Sequence, residues 1–327
     1  MSRIHAVAHP NIALIKYWGK KPFSHDTDRN MGVNPSVSMT LSQAQTDVIL
    51  SKSQSGNFEI IIEGQPASSH DFEKLTQHAE RIAQFFGMAL TPLKIESKNN
   101  FPKGTGIASS ASAFAALTYG ITAQLLGFEE YKKQQVRITN DLSRLARRGS
   151  GSAARSVAGG FMKWEQDFAE SCHNSWQLKD TIVIFSKLAK KVSSTDGHKR
   201  VESSPLWSAR QSGILNRYHA CLKALEQKDL ALLGPIIEEE ATEMHLVAES
   251  SQPPIQYRSP ETLAFLDEMQ KMKSRDFYFT LDAGPNIHLI SERAIVSEVQ
   301  ALLQKCGIQA EIWQDWTGSA PVVKEIP

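Results

Sequence analysis

The sequence predicts an α+β protein built in two halves, and three patterns carry that expectation. Alternating or β-branched runs at residues 37–41, 46–51 and 58–63 describe an antiparallel layer, with Gly56 and Asn57 marking a hairpin turn between the last two. Phe72, Leu75, Ala79, Ile82, Phe85 and Phe86 then fall at helical spacing, and Gly87 stands where a glycine would end that helix. A polar run over residues 187–200 divides this half from a second set of helices and strands, which sets the expected domains at 1–187 and 188–327.

The elements follow in order. Residues 4–15 alternate loosely and describe one strand leading into Asn11-Ile-Ala-Leu-Ile-Lys-Tyr-Trp-Gly-Lys20. Ile12, Leu14 and Ile15 can anchor that backbone while Lys16, Tyr17 and Lys20 offer cationic and hydroxyl donors, either an anion site or the solvated edge of a half-buried strand. Residues 21–35 are polar and turn-rich, a loop over a site. A short strand at 93–96 delivers the chain to a glycine- and serine-rich turn, and a helix runs from that turn to about Leu126, stopping at Gly127. A helix over 134–147 ends on Arg147-Arg148, and strands follow near 159–164 and at 181–185. Beyond the polar run, helical patterns at 205–224, 230–249 and 261–272 precede strands at 277–281 and 287–290, a helix at 292–304 and a strand at 309–313. That order suggests helices packed on one face of a small antiparallel sheet.

The chain has 327 residues, 41% of them hydrophobic, enough for proper cores. Its 36 Lys+Arg against 35 Asp+Glu leave a formal charge of +1, so no global field recruits nucleic acid or an acidic membrane surface, and any basic site must be local. Cys172, Cys221 and Cys306 lie far apart without C-x-x-C spacing, which argues against a disulfide framework or a zinc site and fits a reducing cytoplasm. Neither an apolar leader nor a run of about eighteen apolar residues is evident, so export and membrane insertion are not expected.

Three segments carry chemistry. In Phe101-Pro-Lys-Gly-Thr-Gly-Ile-Ala-Ser-Ser-Ala-Ser112, Gly104 and Gly106 permit close ligand approach, and Ser109, Ser110 and Ser112 place hydroxyls and N–H groups at a helix start, either a phosphate cradle or a capped buried helix. The spacing is neither Walker A nor that of a dinucleotide fold. In Gly149-Ser-Gly-Ser-Ala-Ala-Arg-Ser156, Ser150 and Ser152 can converge on an anion, and Arg155 offers a planar fork suited to a carboxylate or phosphate. Asp282-Ala-Gly-Pro-Asn286 is either turn chemistry or a rigidly placed carboxylate facing the two cradles. His245 is expected in a core or interface, and neither a protein-built metal cluster nor a G-x-S-x-G elbow is evident.

Taken together these segments resemble the GHMP kinase superfamily through Pro102-Lys-Gly-Thr-Gly-Ile-Ala-Ser-Ser-Ala111, and within it the diphosphomevalonate decarboxylases through residues 11–20, 149–156 and 282–286. The resemblance implies a GHMP kinase fold, with an N-terminal half like ribosomal protein S5 domain 2, a ferredoxin-like C-terminal half and the active site between them. It implies that ATP, with Mg2+, and mevalonate 5-diphosphate give isopentenyl diphosphate, ADP, phosphate and carbon dioxide, in a cytoplasmic homodimer. Asp282 would be the catalytic aspartate near the C3 hydroxyl, and Arg155 would grip the substrate carboxylate. Tyr17, Lys20, Ser150 and Ser152 would contact the diphosphate, with Ser193 or Ser194 as a further substrate-side serine. Lys103, Gly104, Gly106, Ser109, Ser110 and Ser112 would hold the nucleotide phosphates, with Ser109 or Ser110 near magnesium.

Departures from the family pattern are small: Ala154 replaces a cysteine, Lys103-Gly104-Thr105 replaces Thr-Ala-Ala, and residues 35–38 differ mildly from a serine-rich strand start. A relative acting on mevalonate 5-phosphate or mevalonate is the nearest rival. A non-catalytic binding protein of this fold should have lost Asp282, Arg155 or the phosphate loop, and all three are present.

Overall fold

Pro10 divides what the sequence presents as one strand. A computed structural model describes residues 3–101, 109–173, 175–188 and 192–327, and in it residues 4–15 form β1 (Arg3–Ala8) and β2 (Asn11–Ile15), which enter different sheets. Proline has no N–H to continue a ladder, so the chain changes sheet there. Next come β3 (Ser36–Thr40), β4 (Thr46–Lys52), β5 (Glu59–Ile62), β6 (Gln65–Pro66), α1 (Ser69–Phe85), β7 (Leu93–Asn99) and α2 (Ser109–Leu126). The expected helix at 134–147 begins later, as α4 (Thr139–Gly149), and is preceded by a short helix that was not expected, α3 (Phe128–Gln134); β8 (Phe161–Trp164), β9 (Ala169–His173) and β10 (Lys179–Ile184) follow. The remainder is α5 (Ser194–Arg200), α6 (Trp207–Gln227), α7 (Leu230–Glu249), α8 (Pro260–Gln270), β11 (Phe277–Thr280), β12 (Ile287–Ser291), α9 (Val296–Cys306), β13 (Glu311–Trp316) and β14 (Val322–Ile326).

The first sheet runs β14-β1-β4-β7-β5-β6. The expected hairpin between β4 and β5 does not form: β7 lies between them, antiparallel to β4 and parallel to β5. Period-two alternation fixes which face a strand buries, not which strand it pairs with. Val48, Leu50, Ile60, Leu93 and Ile95 all bury one face against Ala79 and Ile82 of α1 and the apolar α2, each large aliphatic side chain contributing about 2 kcal/mol. Ser68 caps α1 by accepting from the Asp71 N–H.

A second sheet, β2-β3-β8-β9, and a third, β11-β12-β10-β13, share one core with α6 and α7. Lys179–Ile184, placed by sequence in the first half, pairs instead with β12 and β13 of the third sheet. Both faces of this strand are buried: Ile182 and Ile184 meet β2, β3 and α6, while Val183 meets α8 and α9. Cover on both sides, rather than helices on one face alone, explains its continuous apolar run. Buried Asp315 of β13 accepts the Ser42, Gln43 and Ala44 N–H groups at 2.6, 2.8 and 2.8 Å, tying the turn after β3 to the third sheet. Among the described residues no single helix is long and apolar enough to cross a membrane.

Candidate active site

The site forms where β2 ends, because β2 is the strand on which both halves converge. Leaving β2, Lys16 is buried, and its Nζ donates to the Ala13 carbonyl at 2.7 Å and to Asp282 Oδ1 at 2.8 Å. Its backbone N–H donates to Glu240 Oε1 at 3.0 Å, fixing the stem from the α7 side. Burial lowers the Lys16 pKa, and Arg155 lowers it further, while Asp282 and Glu240 raise it. Lys16 is therefore half of an ion pair rather than an open anion donor.

Asp282 follows β11 in a turn built by other residues. Asn286 Oδ1 accepts the Phe185 and Ser186 N–H groups at 2.8 and 3.1 Å, and Thr262 Oγ1 donates to the Pro285 carbonyl at 2.5 Å. The Ser259–Thr262 capping box that starts α8, with Pro260 in its first turn, holds Thr262 in place. The Asp282 side chain is 23% exposed and opens onto a cavity of about 580 Å³.

Across that cavity α4 ends at Gly149, and one turn of 3-10 helix, Gly151–Arg155, swings Arg155 inward. Gly151 must be glycine, since a Cβ there would stand 2.5 Å from the Tyr17 ring. Arg155 is 2% exposed; it donates to Ser36 Oγ at 2.7 Å and Asn11 Oδ1 at 3.4 Å, and among the described residues its Nε has no hydrogen-bond partner. Burial pulls this guanidinium down to about 10, still charged at neutral pH. Ser110, Ser150 and Ser152 form a hydroxyl chain with spacings of 3.1 and 3.3 Å that joins the start of α2 to this turn.

Tyr17 donates to the Asn30 carbonyl at 2.9 Å, and Lys20 Nζ donates to Asn30 Oδ1 at 2.9 Å. Burial raises the Tyr17 phenol pKa, whereas burial and then the charges of Lys74, Lys199 and Arg29 push the Lys20 ammonium down to about 8. Seven cationic side chains, Lys16, Lys20, Arg29, Lys74, Arg81, Arg148 and Arg155, line the cavity against two carboxylates, Glu73 and Asp282. A chain with almost no net charge thus concentrates a positive field in one concavity.

Of the residues expected from sequence, Tyr17, Lys20, Ser109, Ser110, Ser150, Ser152, Arg155, Ser194 and Asp282 all line this cavity. Two do not. Ser112 is buried, bonded to Thr46 Oγ1 at 2.6 Å and donating to the Ser109 carbonyl at 3.2 Å, so its hydroxyl is used inside the core. Ser193 caps α5, accepting from the Asp196 N–H and donating to its carboxylate. Lys103, Gly104 and Gly106 lie outside the described residues. His245 is buried in α7 beside Met244, as expected, with its pKa pushed by burial down to about 3.

Sequence reasoning missed His198 and the α1 wall. His70, Glu73, Lys74, Gln77 and Arg81 recur at helical spacing opposite the apolar stripe of α1, and all line the cavity. The stripe was visible, but a polar helix face ordinarily means solvent.

Such a cleft, cationic on most sides and carrying one lysine-held carboxylate, defines an enzyme of α+β fold that works on a small polyanion. Family models match residues 8–175 as a diphosphomevalonate decarboxylase-like N-terminal domain and residues 181–325 as a mevalonate 5-diphosphate decarboxylase C-terminal domain. The chain belongs to the diphosphomevalonate decarboxylase family. It is 33% identical over 308 residues to the diphosphomevalonate decarboxylase of Saccharomyces cerevisiae, covering 84% of this chain and 74% of that one. Among solved structures it is similar to the mevalonate diphosphate decarboxylase of Enterococcus faecalis, with a TM-score of 0.84, 30% identity and 99% of each chain covered. A complex designated MDDEF with MVAPP, AMPPCP and magnesium matches equally, with a TM-score of 0.84, 30% identity and 99% of each chain covered.

Proposed function

We propose that this chain catalyses the ATP-dependent decarboxylation of mevalonate 5-diphosphate to isopentenyl diphosphate, ADP, phosphate and carbon dioxide. The observation that carries this reading is the meeting of the Lys16–Asp282 pair, Arg155 and a cationic wall in one cavity. Two polyphosphates and a carboxylate require that much positive charge, and phosphoryl transfer is chiefly positioning and charge stabilisation.

Asp282 orients the substrate's C3 hydroxyl and accepts its proton as the phosphoryl group arrives. Lys16, held at Ala13 and at its backbone N–H, fixes one carboxylate oxygen and so the direction of the other. Phosphate then leaves C3, the C1–C2 electron pair becomes the new double bond, and C1 departs as carbon dioxide. Tyr17, Lys20, Ser150 and Ser152, with Ser194, hold the diphosphate. Ser109 and Ser110, at the start of α2, suit nucleotide phosphates and offer hard oxygen ligands to magnesium, which neutralises charge on the transferring group when bound. The fit rests on the cationic wall and the linked hydroxyls of Ser110, Ser150 and Ser152.

The division drawn from sequence at residue 187, nucleotide and diphosphate in the first half and the aspartate in the second, belongs to this proposal, with β10 reassigned to the second half. So does a cytoplasmic homodimer, which the family resemblance implies.

Arg155 supplies the test. It lines the cavity, and among the described residues its buried Nε has no hydrogen-bond partner, which supports a role for its fork in aligning the carboxylate that is lost as carbon dioxide. Arg155→Lys keeps the charge but not the fork, and turnover of mevalonate 5-diphosphate should fall on the order of a hundredfold, the worth of one well-made charged hydrogen bond. Steady-state release of carbon dioxide measures it, and turnover within threefold of the parent would contradict the role.

A further inference from the structure

His198 belongs to none of the motifs that the sequence offers, yet it lines the cavity beside Tyr17, Lys20 and Arg155. Its ring lies against Tyr17, with centroids 4.5 Å apart and planes tilted by 45°, and against Trp18, 4.9 Å apart and tilted by 42°. The Gly19 N–H donates to Nδ1 at 3.0 Å. A backbone N–H can only donate, so Nδ1 must be the acceptor, and the ring turned over would set Cδ2 there and lose the bond. Gly19 is suited to that place: its φ is +85°, and a Cβ there would stand 2.6 Å from the Trp207 ring, so a larger residue would displace the N–H that Nδ1 accepts.

The ring is neutral, because burial, then Lys20 and Arg155, hold its pKa well below the ordinary histidine value. A neutral imidazole with one nitrogen accepting carries its single proton on the other. With Nδ1 taken by Gly19, that proton sits on Nε2 of a ring that lines the cavity.

We propose that His198 is a substrate-binding residue of this reaction, a neutral Nε2–H donor to the anionic group held beside Tyr17 and Lys20. The inference rests on the function proposed above and deepens it. A second lysine here would add charge beside Lys20 and Arg155, whereas a neutral donor adds a directed hydrogen bond without further repulsion. It selects for an oxygen acceptor at one place rather than for negative charge in general.

Two substitutions separate binding from architecture. His198→Asn can still accept from Gly19 but has nothing at the Nε2 position, whereas His198→Gln places an amide N–H there and gives up the Gly19 acceptor. With the parent's turnover of mevalonate 5-diphosphate as reference, His198→Asn should raise KM about ten- to hundredfold and affect KM more than kcat, and His198→Gln should recover most of that loss. Calorimetric titration with inorganic pyrophosphate should give the same order. Nitrogen-15 NMR of the parent protein at pH 7 should show the proton on Nε2, a readout that survives even if a variant misfolds. Unchanged KM and pyrophosphate affinity in His198→Asn, recovery absent in His198→Gln, or the proton found on Nδ1 would each overturn the assignment. If the parent itself does not turn over, the functional reading fails, while the pyrophosphate titration still decides the role of the histidine.

Discussion

Asp282→Ala should lower turnover of mevalonate 5-diphosphate by about a thousandfold while leaving the fold intact, the middle of the range for a positioned general base. The fold should survive because the turn that carries Asp282 is held by other groups: Asn286 receives the ends of the Phe185 and Ser186 amides, and Thr262 reaches Pro285. The chemistry should not survive, because removal deletes the acceptor for the C3 proton and also strips Lys16 of its ion partner. Lys16 then keeps the burial that lowers its pKa and loses the largest influence that raises it. Anion binding at Lys20 and Ser150 should change little, so KM should move far less than kcat. Steady-state ADP formation and carbon dioxide release measure both, and a variant within tenfold of the parent would remove Asp282 from the chemistry.

Glu240→Ala should cost about 3–5 kcal/mol of stability, the largest loss expected from any single surface-remote substitution considered, because it breaks a buried charge network from its centre. Glu240 and Arg210 have wholly buried side chains, joined at 2.5 Å, and Arg217 meets the other Glu240 oxygen at 2.6 Å. Truncation leaves two guanidinium groups short of a carboxylate in the space between α6 and α7. The neighbouring Glu239 also pairs with Arg217, but its side chain is 67% exposed, so Glu239→Ala should change stability by less than about 0.5 kcal/mol. Guanidinium denaturation of the two variants beside the parent tests the contrast. Equal losses would mean that the network is not organised around Glu240. Since Glu240 also accepts the Lys16 N–H, its loss should loosen the site as well as the fold.

Much of this was legible in the sequence, and the boundary of legibility has a physical cause. α7 falls where its pattern put it, at Leu230–Glu249, because a long amphipathic run with Asp229 as cap is a local signal. Among the described residues, Ser109 and Ser110, residues 149–152 with Arg155, and Asp282 line one cavity, so members of all three chemistry-bearing segments come together there. What escaped notice depends on contacts far apart in the chain. β7 between β4 and β5, and β14 beside β1, are choices of partner that alternation does not encode. The Lys16–Asp282 pair spans 266 positions, and until it is seen Lys16 looks like a donor for substrate. Ser112 and Ser193 carry the right residue type, but a serine at a helix start serves the helix as readily as a ligand. His198 became visible only when α5 brought it against Tyr17 and Gly19.

The central claim is that this cleft removes carbon dioxide from mevalonate 5-diphosphate at the expense of ATP. The most direct measurement is carbon dioxide release by the purified protein with ATP and magnesium, offered mevalonate, its 5-phosphate and its 5-diphosphate separately. Release with the 5-diphosphate, and little or none with the other two, is the expected result. Release from the 5-phosphate at an equal or greater rate, or ADP formation without carbon dioxide, would contradict it.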